Sequence, residues 1–299
     1  MIELPENFKR KIINRYNKIG INWLNNIDLI ANKYINMFDL KKVKVLDDLS
    51  MNIVLTAESE KLGDVIIKIG APGITSHNEI LYINLLPLKN MVKCFYYNIN
   101  DRVMILEKIS PGYSLNKVEN IDERIKIFKN LLNDICVNNG NCLNKFPTYN
   151  KKLEEKLKEA NEYADRSKYI IELLNNATNM YEEITKLNLP KYVLHGDLQH
   201  KNILKFQEGW KIIDPQGNVG EIVFDTCQFI KYEMENNDID LNIIVEKVAN
   251  AIDINKKLIY KALYIEIATK ILFYLKAGYS EEFVTNNINL CKILIKHIL

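Results

Sequence analysis

Apolar residues recur at helical spacing through the first forty positions. Phe8, Ile12, Ile13 and Tyr16 form one stripe, and Ile27, Leu29, Ile30, Tyr34 and Phe38 a second. Side chains three and four apart share a helix face, so two amphipathic helices are expected here. The period then drops to two. Val43 and Val45 alternate with lysines, and IVLTA at 53–57 runs into a polar turn over 58–64 that contains Gly63. The chain returns as VIIKI at 65–69, which predicts an antiparallel hairpin. A helix is expected over 78–86, stopped by Pro87, and two more strands over 91–97 and 103–107 flank the turn NINDR. Ser110-Pro111-Gly112 breaks the pattern and reads as a connector.

Beyond it the period is helical. One amphipathic segment covers 121–139, and a Lys/Glu-rich pair covers about 150–187, its charges spaced as on a solvated helix face. Pro190 closes that pair. After Asp225 the chain is helical to its last residue, with apolar stripes over 258–275 and 283–299 and no repeat of solenoid length. The pattern predicts an α+β chain. A small sheet lobe over 1–107 (leading helices, then five strands and one helix) is followed by a larger helical lobe over 108–299, joined near Glu107.

Composition narrows the function classes. At 299 residues there is room for two cores, and 47% hydrophobic with 26% charged residues is ordinary for a globular chain. Forty basic against 38 acidic residues leave a formal charge of +2, without the concentrated basic face that nucleic acid demands. Glu3 and Glu6 near the start, with no apolar core segment, point away from a secretory leader. Apolar runs such as that at 271–275 are too short to span a bilayer. The five cysteines, Cys94, Cys136, Cys142, Cys227 and Cys291, lack zinc-ligand spacing and read as free thiols of a reducing cytoplasm.

The candidate chemistry lies in HGDLQHKNIL at 195–204 and IIDPQG at 212–217. Phosphoryl transfer asks for a carboxylate beside the incoming hydroxyl, oxygen ligands for Mg²⁺ and a cation on the phosphates. Asp197 is the candidate base. Asn202 and Asp214 supply hard oxygen donors of the kind Mg²⁺ prefers, and the segment between them reads as a tight hairpin whose ends converge. Lys68, inside the apolar strand VIIKIG, is an expensive place for an ammonium without a partner. Glu79 on the following helix is its natural partner. Taken alone, Lys68 fits a surface lysine at a strand edge equally well.

The spacing D-L-x-x-x-N, a later metal-binding Asp, and Lys and Glu upstream resemble the protein-kinase-like superfamily. HGDL in place of H-R-D is similar to its aminoglycoside phosphotransferase branch. SMNIVL at 50–55 and IIDPQGNVGEIVFD at 212–225 resemble the streptomycin and hydroxyurea kinases of that branch. The likeness runs from about Leu46 onward. It implies a bilobal protein-kinase-like fold with a small antiparallel-sheet N-lobe and a larger helical C-lobe. It implies Asp197 as base, Asn202 and Asp214 as magnesium ligands, and Lys68 with Glu79 as the phosphate clamp. His195 would brace the loop, as would Asp225 by hydrogen-bonding the catalytic-loop backbone, although Asp225 also reads as a helix N-cap. His77, His200 and His297 read as structural.

The chain departs from the pattern in its phosphate-covering loop. DLSMN at 48–52 contains no glycine, and glycine permits close backbone approach; Ser50 and Asn52 remain as donors. Position alone marks Glu107 to Ile109 as the adenine-binding connection, with ATP and GTP both open as donor. Ten residues separate Asp214 from Asp225, too few for a segment that docks a protein, so a small-molecule alcohol is expected as acceptor. A cationic acceptor would need acidic groups in the helical lobe, for which Glu233, Glu235, Asp238 and Glu266 are candidates. The leading expectation is an antibiotic-resistance O-kinase acting on an aminoglycoside such as streptomycin. A metabolic kinase for a sugar, choline or amino alcohol, and a nucleotide-binding pseudokinase acting as an interaction module, are the alternatives.

Overall fold

The computed structural model describes residues 2–47, 49–86, 88–137, 142–161, 164–276 and 278–299. Asp48 of the glycine-free loop, and Pro87 and Asn139 at two expected helix ends, lie outside the described residues. In chain order the elements are α1 (Glu6–Asn25), α2 (Ile27–Met37), β1 (Lys41–Val45), β2 (Ile53–Ser59), β3 (Gly63–Ile69), α3 (Ile74–Leu85), β4 (Cys94–Asn98) and β5 (Val103–Glu107). Next come β6 (Pro111–Ser114), α4 (Ile121–Val137), α5 (Tyr149–Asn161), α6 (Ala164–Thr185), β7 (Lys191–Leu194), β8 (Ile203–Phe206), β9 (Gly209–Ile212) and β10 (Asn218–Glu221). Helices α7 (Val223–Asn237), α8 (Leu241–Ile252), α9 (Lys256–Lys276) and α10 (Glu281–Ile298) complete the chain.

The chain divides into two compact units, Met1–Tyr113 with Leu204–Gln216, and Ser114–Ile203 with Gly217–Leu299. The division falls beyond Glu107, and the β8–β9 hairpin with Asp214 belongs to the first unit although it lies far along the sequence. Ser110-Pro111-Gly112, expected as a connector, lies directly before the division after Tyr113, and its Pro111 opens β6, which forms a three-stranded sheet in the order β6-β8-β9. Proline lacks an amide hydrogen, and the first residue of an edge strand is where that loss costs no ladder bond.

In the first unit, β1 to β5 form an antiparallel sheet in the order β1-β2-β3-β5-β4. Alternation sends Ile53, Leu55 and Ala57 of β2, and Val65, Ile67 and Ile69 of β3, into one core. Phe8, Ile12, Trp23, Ile27, Ala31 and Tyr34 from α1 and α2 cover that face. The N-terminal helices, which carry no motif, are therefore the lid of the sheet. The same alternation turns Lys68 to the other face, toward α3.

In the second unit, α9 is buried all round, from Ile259 through Leu272, which marks it as the helix the others pack around. Among the described residues no helix is long and apolar enough to cross a membrane. All five cysteines are free.

Glu233, expected at an acceptor cleft, is instead wholly buried in this core. Its two oxygens take Arg124 Nε and Nη2, both at 2.7 Å, and are also bonded by His200 Nε2 at 2.8 Å and Asn237 Nδ2 at 2.7 Å. A buried carboxylate survives only with such partners. Arg124 also donates to the carbonyls of Val118 and Glu119. The His200 ring lies stacked against Phe229 and Tyr232. The network fixes His200, two residues ahead of Asn202.

Burial alone would raise the Glu233 carboxyl, but the hydrogen bonds from His200, Arg124 and Asn237 outweigh it and hold the pKa at about 2. A carboxylate depressed in the folded state stabilises fully above its unfolded value of 4.5, and that stability drains away as pH falls toward 2. Urea unfolding followed from pH 7 to pH 2 is expected to show the wild type losing stability across that window. Glu233→Gln should be weaker by about 3–5 kcal/mol at pH 7, because Arg124 is left buried without its counter-charge, and flatter between pH 4.5 and 2. An equally steep acid limb in the variant would remove Glu233 as its source.

Candidate functional site

The site residues fall into two groups, one in each unit. In the first unit Lys68 sits mid-strand in β3, opposite Val54 of β2 and Met104 of β5, with only 3% of its surface exposed. Its Nζ donates to Glu79 Oε1 at 2.5 Å and to Asp214 Oδ1 at 2.7 Å. Burial by itself would strip the proton from Lys68; the Asp214 and Glu79 carboxylates reverse this and hold its pKa above the ordinary lysine value. Glu79 is as buried as Lys68, whereas the Asp214 side chain is 46% exposed. The ammonium is thus anchored by one inner carboxylate and shared with an outer one. Asp214 follows the β8–β9 hairpin with φ +60°, a left-handed conformation that Asp tolerates.

Around this triad the sheet edge is closed by side-chain to backbone bonds. Asn52 Oδ1 accepts from the Ala71 amide at 3.0 Å and from the Ser76 hydroxyl at 3.5 Å, and Ser76 donates to the Ala71 carbonyl at 3.0 Å. Gly70 is required here, since a Cβ would come within 2.5 Å of Ser76 Cβ. Ser50 is exposed in the loop before β2. Glu107 has its carboxylate occupied by the Lys93 amide and by Lys211, and Ile109 is buried. Lys108, between them, is exposed and pairs with Asp64 at 3.1 Å.

In the second unit β7 and β10 pair antiparallel, and the loop from His195 to Asn202 leaves the end of β7. Asp225, in the first turn of α7, reaches back to this loop: Oδ2 accepts from the His195 amide at 2.8 Å and Oδ1 from the Gly196 amide at 2.7 Å. It makes no cap to its own helix, whose N-cap is Ile222. Burial pushes the Asp225 carboxyl up to about 7, against those two amides, and neighbouring Asp197 adds to the rise. His195 is fully buried, and its Nδ1 accepts from the Asp197 amide at 3.3 Å. Asn202 Nδ2 donates to the Asp197 carbonyl at 2.8 Å and to Asp197 Oδ2 at 3.2 Å, and Gln199 Nε2 donates to that same oxygen at 3.2 Å.

These bonds decide which atoms remain for a metal. The Asn202 nitrogen is spent on Asp197, so its side-chain oxygen is the atom left for a cation. Asp214 offers a half-exposed carboxylate. Among the described residues no group of three or more His, Cys, Asp or Glu gathers as a metal cage. Each unit thus offers one oxygen of the hard kind Mg²⁺ prefers, Asp214 in the first and Asn202 in the second.

The remaining sequence candidates separate clearly. Glu235 pairs with Lys231 at 3.4 Å, and Asp238 caps the end of α7 at φ +51°. Glu266, expected as an acceptor contact, is 3% exposed. It is held by Tyr149 and by Lys152 at 2.8 Å, with Gln228 at 3.3 Å and Lys270 at 3.6 Å. Sequence reading missed Lys152, Lys270 and Tyr149. Lys152 lies in the charge-rich YNKKLEEKLKEAN of α5, where nothing singles it out before the helices are packed.

Solved structures of known proteins share this architecture. A choline kinase from Streptococcus pneumoniae aligns with TM-score 0.67 at 14% identity, over 91% of this chain and 98% of its own. An aminoglycoside phosphotransferase in ternary complex with ADP and hygromycin B aligns at 0.63 and 8% identity, over 89% and 97%. The streptomycin–ATP complex of another aminoglycoside phosphotransferase aligns at 0.59 and 13%, over 90% and 96%. These likenesses establish the protein-kinase-like fold. No curated protein sequence matches the chain at a significant level. Residues 41–265 match the family model described as aminoglycoside/hydroxyurea antibiotic resistance kinase, and with three quarters of its length so matched the chain belongs to that family of small-molecule kinases.

Proposed function

We propose that this protein is an O-phosphotransferase that moves the γ-phosphoryl group of a nucleoside triphosphate to a hydroxyl of a small molecule, with Asp197 as the general base. The observation that carries the reading is the fixing of that carboxylate. Asp225 clamps the loop amides on one side of Asp197, and Asn202 and Gln199 hold its Oδ2 on the other. A base so positioned meets the incoming alcohol without reorganising.

Lys68, held by Glu79, is the proposed phosphate contact, while Ser50 and Asn52 offer donors from the loop before β2 in place of glycine amides. Backbone atoms over 107–109 are the proposed purine contact. Asn202 and Asp214 are the proposed Mg²⁺ ligands; bound there, the ion supplies neutralising charge to the phosphate oxygens. The ADP, ATP and AMP complexes among the structural neighbours support an adenine nucleotide as donor. The intact acids speak against a pseudokinase.

For the acceptor, the family description supports an aminoglycoside such as streptomycin. One observation favours an uncharged acceptor such as a sugar instead: Glu233 and Glu266, two of the four acids named for a cationic acceptor, are buried and already paired.

Steady-state ADP release tests the base. Asp197→Ala should lower kcat by about 10²–10⁴-fold while titration calorimetry shows unchanged Mg²⁺–ATP affinity; equal turnover would remove Asp197 from that role. Asp214→Ala is expected to abolish the magnesium dependence of nucleotide binding, and a variant whose ATP affinity still rises with added Mg²⁺ would contradict its assignment as ligand.

A further inference from the structure

We infer that the helical unit carries a second binding site, for an apolar molecule bearing one protonated amine, with the carboxylate of Glu221 as its anchor. Glu221 ends β10 and is 1% exposed. Neither of its carboxylate oxygens has a hydrogen-bond partner among the described residues. Lys191, opposite it in register on β7, is exposed and does not donate to it. A buried carboxylate left alone is costly. Elsewhere in this unit Asp225, Glu233 and Glu266 are each met by donors. Glu221 is the exception, and it lies at a cavity.

The residue lines a pocket of about 530 Å³, bounded by the end of α6, the starts of β7 and α7, and the turn from α8 into α9. That is an ordinary size for a small-molecule site. Ile184, Leu187, Ile222, Val223, Ile254 and Leu258 make its walls apolar. Of the charged residues lining it, Asp253 and Lys257 are exposed and Lys261 is paired with Glu183. Glu221 alone is both buried and unpaired. Burial lifts its carboxyl above the ordinary value, against its own amide and Lys191. The oxygens are closed off from solvent, so their donor comes on an apolar body seated among those walls and not as a hydrated ion. A metal would find no ligand set, since no group of three or more His, Cys, Asp or Glu gathers among the described residues. An alcohol would fill one lone pair and leave the charge unmet. An ammonium supplies donors and counter-charge together. None of the lining residues is among those proposed for the base, the metal or the nucleotide, so the inference stands apart from the phosphotransferase reading.

Calorimetric titration of the full chain with three ligands that differ only in their head group tests this. The probes are 4-phenylbutylamine, 4-phenylbutan-1-ol and 4-phenylbutyrate, each titrated with and without saturating Mg²⁺–ATP. The amine should bind about 10–100-fold more tightly than the alcohol, the worth of a hydrogen bond to a charged group, and the acid most weakly. ATP should leave the amine's affinity unchanged. Glu221→Gln should fold, because the amide keeps the shape and removes the buried charge. It should cost the amine that same factor and leave the alcohol nearly unaffected, a difference that an amine bound at an acceptor site elsewhere would not show. Leu258→Trp, which fills the pocket from its wall, should weaken the binding of the amine and the alcohol alike. The head-group series on the wild type decides the matter even if a variant is unstable. An alcohol or acid that equals the amine, displacement of the amine by ATP, or no saturable binding overturns the proposal. So does an amine whose affinity survives both substitutions. The kinase reading, tested by ADP release, stands or falls independently of these titrations.

Discussion

An ammonium buried in the middle of a β-sheet is the constraint around which the first unit is arranged. Lys68 cannot stay charged between Val54 and Met104 unless carboxylates meet it, and two do, from α3 and from the segment after β9. Removing either acid would leave a buried charge short of a partner, the situation that costs most in a protein interior. The ion pairs therefore fix where α3 lies against the sheet and draw the hairpin of residues 204–216 into a unit otherwise made from the first 113 residues. Because the partners differ in exposure, the lysine is rigid at its root while Asp214 keeps a face toward solvent. That asymmetry suits the roles proposed for the two, a phosphate contact for Lys68 and a metal ligand for Asp214.

The second unit solves a different problem, that of holding an irregular loop still. A loop has no ladder to satisfy its amides, so side chains must do so. Asp225 takes two of them, and Asn202 closes the turn on the Asp197 carbonyl. Below the loop, the Arg124–Glu233–His200 network anchors the residue between Asp197 and Asn202 to α7 and α4. Asp225 and Glu233 are both on α7, one near each end, so the loop is referenced to a single rigid helix.

Much of this was legible in the sequence because the decisive signals are local. Strand alternation around Ile53 and Val65 gave the sheet, and the D-L-x-x-x-N spacing with a later Asp gave the loop. Lys68 stood out because a lysine inside VIIKIG contradicts its surroundings. What escaped was set by packing between distant segments. Glu233 and Glu266 look alike in sequence to exposed acids, and only the arrival of Arg124 on one, and of Tyr149, Lys152 and Lys270 on the other, makes them interior residues. Ser110-Pro111-Gly112 carried every mark of a linker, yet its proline sits where an edge strand has no amide to spare. The first turn of α3, residues 74–77, was missed because ITSH has neither a helical stripe nor a capping side chain.

That difference in legibility bears on what family membership can say about substrate. The stretches whose wording resembles the family, 50–55, 195–204 and 212–225, are short and local, and the proposed base and metal ligands lie within two of them. Helices α5 and α9 carry no such wording, and their sequences are free to change as long as their apolar faces still pack. A buried acid shared between two lysines, Glu266 with Lys152 and Lys270, is a charge arrangement that no short motif encodes. The wording of a catalytic loop therefore bears on the chemistry, whereas the choice of alcohol has to be read from side chains that only packing brings together.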